Sequence, residues 1–163
     1  MTALKTVVFL ILVPGTVAGW VPYWISRWRG GLPGVELGGW RHVGWLLVIP
    51  GVAALLWSMF EFVTKGQGTP APFDPPKRFV ATGLYQFVRN PMYVGVLVAV
   101  VGQAMLYESL NVLAYAAAVW SVVHAFVVFY EEPTLRRLFG DEYLNCCRVV
   151  PRWIPRIQAA KRT

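Results

Sequence analysis

The chain has 163 residues, 56% of them hydrophobic and only 14% charged, and its mean hydropathy is +0.51. A water-soluble domain of this length would expose large apolar patches, so the composition excludes an ordinary soluble fold and favours an integral membrane protein. The formal net charge of +7 does not indicate nucleic acid, because the basic residues lie in short flanks of apolar segments; anionic lipid headgroups are the expected partner.

Four apolar segments follow one another along the chain, at 4–25, 43–63, 92–107 and 110–130. A helix needs about 20 residues to cross the hydrocarbon layer, so the first, second and fourth are long enough. The third is short, and local thinning of the bilayer would let it span. The first lacks the cleavage pattern of a signal peptide and is expected to remain in the protein. The sequence therefore predicts an all-α membrane protein with four transmembrane helices in one domain, 1–163.

Lys and Arg are distributed unevenly around these segments. With a cytoplasmic N-terminus, twelve basic residues lie on the cytoplasmic side, and three lie opposite, namely Arg27, Arg29 and Arg41. Because Lys and Arg are enriched in cytoplasmic loops, the sequence predicts a multi-pass protein with both termini in the cytoplasm.

Proline and glycine mark the connections on that side. The connection 64–90 contains four prolines, which exclude a continuous helix. After the fourth segment, Pro133 suits the first turn of a helix over 134–139 that Gly140 would end. A second short helix is expected over 141–147. This C-terminal tail is expected to lie on the membrane surface or to fold over the helix ends.

The stretch 83–95, which leads into the third segment, carries the first polar cluster. Arg89 offers a fixed fork of donors that suits a carboxylate, Asn90 can donate and accept, and Pro91 suits a helix start. Amide groups at that helix start would favour an anion. The alternative is that Arg89 anchors the helix at the membrane boundary, with Tyr93 as an interfacial aromatic.

Two adjacent carboxylates, Glu131 and Glu132, follow the fourth segment and form the second cluster. They repel each other, so a cationic partner is expected: Arg89, Arg136 or Arg137, or a ligand that carries an ammonium group and ribose hydroxyls. The alternative is a solvated pair that flanks a helix. Taken together, the two clusters would suit a zwitterionic amino acid moiety, and S-adenosylmethionine has one beside its sulfonium.

The order of residues in 83–95 resembles the G-x-Y-x-x-x-R-H-P-x-Y-x-G signature of the isoprenylcysteine carboxyl methyltransferase and phospholipid methyltransferase superfamily. Further along, Glu131-Glu132, the run 138–143 and Val150-Pro151 resemble the E-E, F-G-x-E-Y and V-P elements that end those enzymes. The resemblance covers 82–155, which is roughly half of the chain.

The resemblance implies an integral membrane methyltransferase that uses S-adenosylmethionine and no metal, with its cofactor-binding half at 79–155 and the tail covering the site. The implied acceptor is a lipid-soluble or small amphiphilic molecule with an amine, thiol or prenylcysteine-like group. Carried over position by position, the residues expected to bind the cofactor are Tyr85, Val88, Arg89, Asn90, Tyr93, Gly95, Glu131, Glu132 and Tyr143; of these, Arg89, Asn90, Glu131 and Glu132 are also the catalytic candidates.

Two departures from the family pattern bear on the acceptor. Asn90 stands where carboxyl methyltransferases have histidine, and asparagine cannot take up a proton. The stretch 125–130 lacks the arginines that precede the glutamates in those enzymes. A carboxylate acceptor would lack its cationic clamp, and the sequence therefore favours an amine, a thiol or another neutral group.

Two other functions remain open on the sequence alone. Membrane sterol reductases share this architecture and bind a nicotinamide dinucleotide, although the short tail offers little polar surface for a second nucleotide. A non-catalytic four-helix scaffold of the same fold is the other alternative. His124, within the fourth segment, is expected to be a neutral histidine that is hydrogen-bonded to a neighbouring helix. The adjacent Cys146 and Cys147 are expected to be reduced thiols.

Overall fold

The computed structural model describes residues 8, 11–28, 32–66 and 78–157. Within these ranges the backbone is mostly helical, and an isolated bridge pairs Gly34 with Ser109. The α-helices are α1 (Val21–Ser26), α2 (Trp45–Glu61), α3 (Pro91–Leu106), α4 (Leu110–Phe126) and α5 (Glu132–Val149). Short 3₁₀ helices at Gly38–Gly44 and Gly83–Gln86, and π-helical turns at Thr16–Trp20, Phe62–Gly66 and Val127–Glu131, adjoin them.

Two helical segments are long and apolar enough to cross a bilayer: Gly38–Gly66, of 29 residues, and Leu110–Val149, of 40 residues, which is kinked at Gly140. Only 28% and 17% of their most apolar windows are buried inside the protein, so most of their apolar surface faces outward, unlike that of a soluble core helix. Helix α3 is apolar but has 16 residues. The predicted spans at 4–25 and 92–107 stay predictions, as does the orientation of the chain.

Helices α2 and α3 pack closely because glycines face each other at two levels. A Cβ on Gly51 would lie 2.7 Å from Ala99 N, and a Cβ on Gly95 would lie 2.7 Å from Gly51 O. Two turns away, a Cβ on Gly102 would lie 2.7 Å from the carbonyl oxygen of Gly44, the last residue of the 3₁₀ helix that leads into α2. Small residues let helix backbones approach in this way within membranes. The glycines therefore allow the antiparallel helices α2 and α3 to pack with their backbones in close contact.

A proline in the first apolar segment, Pro22, explains how this segment is hydrogen-bonded to α3 and α4. Pro22 has no N–H, so it cannot donate to the Ala18 carbonyl in an α-helical register or to the Val17 carbonyl in a π-helical one. Gln103 Nε2 donates to Ala18 O at 2.5 Å, and Tyr115 Oη donates to Val17 O at 3.0 Å. Side chains of α3 and α4 thus satisfy the backbone groups that Pro22 leaves open.

Helix α4 continues into the C-terminal tail without a break, through the π-helical turn Val127–Glu131 and into α5. Pro133 lies in the first turn of α5, as predicted. Gly140 has φ 48° and ψ −123° and kinks α5, so its two halves correspond to the two short helices expected around this glycine. The sequence did not indicate that the fourth segment and the tail form one helical path.

Candidate functional site

A cavity of about 230 Å³ lies where the start of α3, the end of α4 and the start of α5 meet. Its polar lining consists of Tyr85, Arg89, Asn90, Tyr93, Tyr130, Glu131, Thr134, Tyr143 and Cys146. The rest of the lining is mainly apolar and comes from the first segment, α2, α3 and α4, including Val13, Val17, Leu55, Val96, Val119, Val123 and Phe126. The cavity therefore has a polar part near the twin glutamates and an apolar part between the helices.

The turn that carries Arg89 and Asn90 is held by the C-terminal tail. Arg89 N donates to Pro151 O at 2.9 Å, and Arg156 N donates to Phe87 O at 3.0 Å. The Asn90 side-chain amide donates to the carbonyl of Arg152 at 3.1 Å. These bonds fix the tail against the start of α3, where the polar part of the cavity lies.

The Arg89 guanidinium is buried, with its side chain 13% exposed. Its Nη1 lies 3.1 Å from Glu132 Oε1, 2.8 Å from Cys147 Sγ and 3.3 Å from Tyr143 Oη. Its Nε is buried and has no hydrogen-bond partner among the described residues. Because a buried N–H without a partner is costly, Arg89 has one donor left for a ligand that binds against this side chain in the cavity.

Glu132 is the centre of an arginine cluster and is only 5% exposed. Besides Arg89, it accepts hydrogen bonds from Arg152 Nε at 2.6 Å and Nη2 at 3.0 Å, and it lies 3.7 Å from Arg136 Nη2. The sequence suggested Arg89, Arg136 and Arg137 as partners of the acidic pair; Arg89 and Arg136 are partners of Glu132, whereas Arg137 is exposed on α5, and the sequence missed Arg152, which provides the bidentate contact. Guanidinium groups therefore neutralise this carboxylate inside the protein.

Glu131 has a different environment from that of its neighbour. It lines the cavity, and its Oε2 accepts a hydrogen bond from Tyr93 Oη at 2.9 Å. In the described part of the chain, no basic nitrogen lies within 4.0 Å of its carboxylate, in contrast to Glu132. The two glutamates are adjacent in sequence, yet only Glu131 presents an uncompensated acidic group to the cavity.

Tyr85, in the 3₁₀ helix Gly83–Gln86, adds a second unpartnered group. Tyr85 lines the cavity, and its Oη is buried and has no hydrogen-bond partner among the residues that the structure describes. Burial, and then the negative charges of Glu131 and Glu61, hold the pKa of this phenol well above its usual value. Tyr85 therefore stays protonated and presents a hydroxyl donor.

The sequence profile described as Phospholipid methyltransferase matches residues 40–142, which is more than half of the chain and includes most of the cavity. The chain belongs to the phospholipid methyltransferase family.

Curated relatives share a shorter region with this phospholipid methyltransferase family member. Protein-S-isoprenylcysteine O-methyltransferase B of Arabidopsis thaliana is 37% identical over 79 residues, which cover 48% of this chain and 40% of that protein. The Homo sapiens protein-S-isoprenylcysteine O-methyltransferase is 35% identical over 83 residues, or 50% of this chain and 29% of that protein. The nickel-cobalt-cadmium resistance protein NccN of Alcaligenes xylosoxydans xylosoxydans is 32% identical over 78 residues, or 48% and 36%. Each match spans less than half of the relative's length.

Six of the nine cofactor residues expected from the family motif line the cavity, and three do not. Gly95 packs against Gly51 in the α2–α3 contact. Val88 is buried outside the cavity lining, and Glu132 lies in its arginine cluster. The motif fixes residue types but does not distinguish a residue that lines a cavity from one that shapes the backbone behind it.

His124 is hydrogen-bonded, as expected, but the partner is in the tail and not on a neighbouring helix. Trp153 Nε1 donates to His124 Nδ1 at 3.0 Å, and the Trp120 ring stacks on the imidazole with centroids 5.2 Å apart. Neither cysteine forms a disulfide. Within the described ranges, no three His, Cys, Asp or Glu side chains cluster as metal ligands would.

Proposed function

We propose that this protein is an integral membrane methyltransferase that binds S-adenosylmethionine in the cavity and methylates an amphiphilic acceptor. The observation that carries the proposal is that Tyr85 and Arg89, each with a buried donor that has no partner among the described residues, line the same cavity as the uncompensated carboxylate of Glu131. Donors and an acid around one cavity fit a ligand that carries both a carboxylate and positive charge.

The residues present fit the methyl donor part by part. Arg89 would hold the carboxylate of its methionine moiety. Glu132 fixes the guanidinium through Nη1, and Nε of the same guanidinium keeps a free N–H to donate. Glu131 would face positive charge in the ligand, and Tyr85 and Asn90 would supply further hydrogen bonds. When bound, S-adenosylmethionine supplies an electrophilic methyl group on its sulfonium.

The protein's own contribution to the transfer is position and the exclusion of water. Methyl transfer needs the acceptor, the methyl group and the leaving sulfur in line, and holding reactants in such a geometry can account for much of a rate enhancement. The backbone bonds between the tail and residues 87–89 keep Arg89 in place. Glu131, hydrogen-bonded to Tyr93, is the group placed to accept a proton from an amine or thiol acceptor.

The apolar part of the cavity indicates the rest of the acceptor. Val17, Val119 and Val123 are among its lining residues, so a hydrocarbon chain can lie between the first segment and α4. An acceptor with an amine or thiol is favoured over one with a carboxylate, because Glu131 would repel a carboxylate and Arg89, the basic side chain among the lining residues, is already assigned to the carboxylate of the donor.

Binding of the methyl donor is the direct test. Isothermal titration of the detergent-solubilised protein should show binding of S-adenosylmethionine and of S-adenosylhomocysteine. Arg89→Lys keeps a positive charge beside Glu132 but removes the Nε donor, and it should weaken binding roughly tenfold. Arg137→Lys is the matched control, because Arg137 is exposed on α5. If the folded protein binds neither compound, the proposal is wrong.

Transfer is tested separately with donor labelled in its methyl group and with membrane lipids, prenyl thiols and prenylcysteines as acceptors. The label should enter amine or thiol acceptors, and Glu131→Gln should reduce incorporation more than Glu142→Gln, which alters an exposed glutamate on α5. Donor binding without transfer to any acceptor would favour the non-catalytic scaffold. Tight binding of NADPH in place of S-adenosylmethionine would favour a reductase.

The membrane arrangement is part of the same proposal: four spans with both termini in the cytoplasm, which places the polar part of the cavity at the inner leaflet. A single cysteine added at either end of a cysteine-free variant should react with an impermeant maleimide only from the cytoplasmic side. Labelling of either end from the opposite side would exclude this topology.

A further inference from the structure

A second buried acid, Glu61, lies outside the cavity at the end of α2. Its side chain is 10% exposed, and its two oxygens accept hydrogen bonds from Lys65 Nζ at 3.0 and 2.8 Å. Its Oε2 also accepts a hydrogen bond from Thr82 Oγ1 at 2.5 Å. This last bond joins two positions that are far apart in sequence, so it fixes the connection before α3 to the end of α2.

Glu61 contributes little to the stability of α2, the helix that carries it. A negative charge near the C-terminal end of a helix opposes the helix dipole, and an ion pair with the half-exposed Lys65 is worth little on its own. Burying a carboxylate has a cost that only well-placed hydrogen bonds offset. The contact that distinguishes this acid from an ordinary surface pair is therefore the one with Thr82.

The chain of contacts from Glu61 leads into the cavity. Thr82, whose hydroxyl Glu61 binds, accepts a hydrogen bond at its carbonyl from Tyr85 N, at 3.1 Å. Between them, Gly83 has φ +56°, and a Cβ at this glycine would lie 2.8 Å from Glu61 Cδ. The turn thus rests directly on the carboxylate, and the same turn directs the Tyr85 side chain into the cavity.

We infer that Glu61 is a positioning residue for the donor site: through Thr82 it holds the Gly83–Gln86 turn so that the Tyr85 hydroxyl reaches the bound donor. The inference rests on the proposed function, in which Tyr85 contacts S-adenosylmethionine. Glu61 itself touches neither the cavity nor the donor.

The test is a double-mutant cycle in which the Kd of S-adenosylmethionine is measured by titration of the full chain in detergent. Tyr85→Phe removes one hydrogen bond and should weaken binding roughly tenfold. Glu61→Ala should weaken it by a similar factor. The variant with both substitutions should bind no more than about twofold more weakly than Tyr85→Phe alone, because Glu61 acts through the same hydroxyl.

Conservative variants separate this role from a general structural one. Glu61→Gln keeps an oxygen that can accept the Thr82 hydroxyl and should retain most of the affinity, whereas Thr82→Val should reproduce the loss of Glu61→Ala. Lys65→Met is the control, since it removes the other partner of the Glu61 carboxylate and leaves the bond to Thr82 in place. If Glu61→Ala does not fold, Thr82→Val with Tyr85→Phe completes the same cycle.

Three outcomes would overturn the inference. In one, Glu61→Ala lowers the affinity for S-adenosylmethionine by the same factor whether or not Tyr85→Phe is present. In another, the Glu61→Gln variant binds S-adenosylmethionine as weakly as the Glu61→Ala variant does. The third is a Tyr85→Phe variant that binds like the unaltered protein, because the hydroxyl would then have no contact to position. In that last case the proposed function is judged separately, by whether the folded protein binds S-adenosylmethionine and whether Arg89→Lys weakens that binding, so the two failures are distinguishable.

Discussion

Replacing Glu132 by glutamine keeps the shape of the side chain and removes the charge that three arginines share. Breaking a buried ion pair costs about 3 to 5 kcal/mol, because the remaining partner is left charged and unpaired. Arg89 is only 13% exposed, so its unpaired charge would stay buried and the full cost applies to it. Arg152 and Arg136 are 32% and 55% exposed, so water can solvate their charges once the carboxylate is gone. The expected loss is therefore near the lower limit, about 3 kcal/mol.

The assay is reversible unfolding in mixed micelles with increasing sodium dodecyl sulfate, followed by tryptophan fluorescence. Glu142→Gln is the matched control, since it makes the same change at an exposed position of α5 and should alter stability by less than about 0.5 kcal/mol. In the Glu132→Gln background, Arg152→Met should have little further effect, because its main partner is gone. A Glu132→Gln variant as stable as the control would refute the reasoning.

Three further predictions concern packing, the acceptor and the tail. Gly51→Ala should destabilise the protein by about 1 to 3 kcal/mol in the same assay, because the new Cβ would lie 2.7 Å from Ala99 N; unchanged stability would mean that the helices can separate without cost. Val123→Trp should raise the KM of a long-chain acceptor at least tenfold and leave the donor Kd unchanged, and a parallel loss of donor affinity would contradict the division of the cavity. Trp153→Phe should lower stability by about 1 kcal/mol through loss of its bond to His124, and the same loss in a His124→Ala background would argue against that bond.

The sequence predicted the parts of the fold that depend on local chemistry. A long apolar run forces a helix in lipid, so the second and fourth segments were recognisable. Pro133 in the first turn of α5 and the kink at Gly140 follow from the restricted φ of proline and the freedom of glycine. The motif order also placed Arg89 and Glu131 in one site, and both line the cavity.

What the sequence missed depends on contacts between distant segments. Arg152 stands in a tail that looked like a surface segment, and only the folded chain brings its guanidinium to Glu132. Gly95 belongs to the family motif, yet its partner Gly51 lies in a segment where the resemblance offered nothing but hydrophobicity. Glu61 forms an i,i+4 pair with Lys65, but its bond to Thr82 spans the connection between α2 and α3, and no local sequence pattern indicates a contact of that range.

The π-helical turn Val127–Glu131 sets the direction of the side chains that follow it. A residue of an α-helix advances the following side chains by about 100°, and a residue of the wider π-helix advances them by less. If this stretch took α-helical geometry with the same residues, the later half of the helical path would therefore face another way. Glu131 would leave the cavity, and Glu132 would lose its contact with Arg89, although no side chain of the site had been altered. The backbone geometry of this turn, and not the chemistry of its side chains, decides where the acidic pair points.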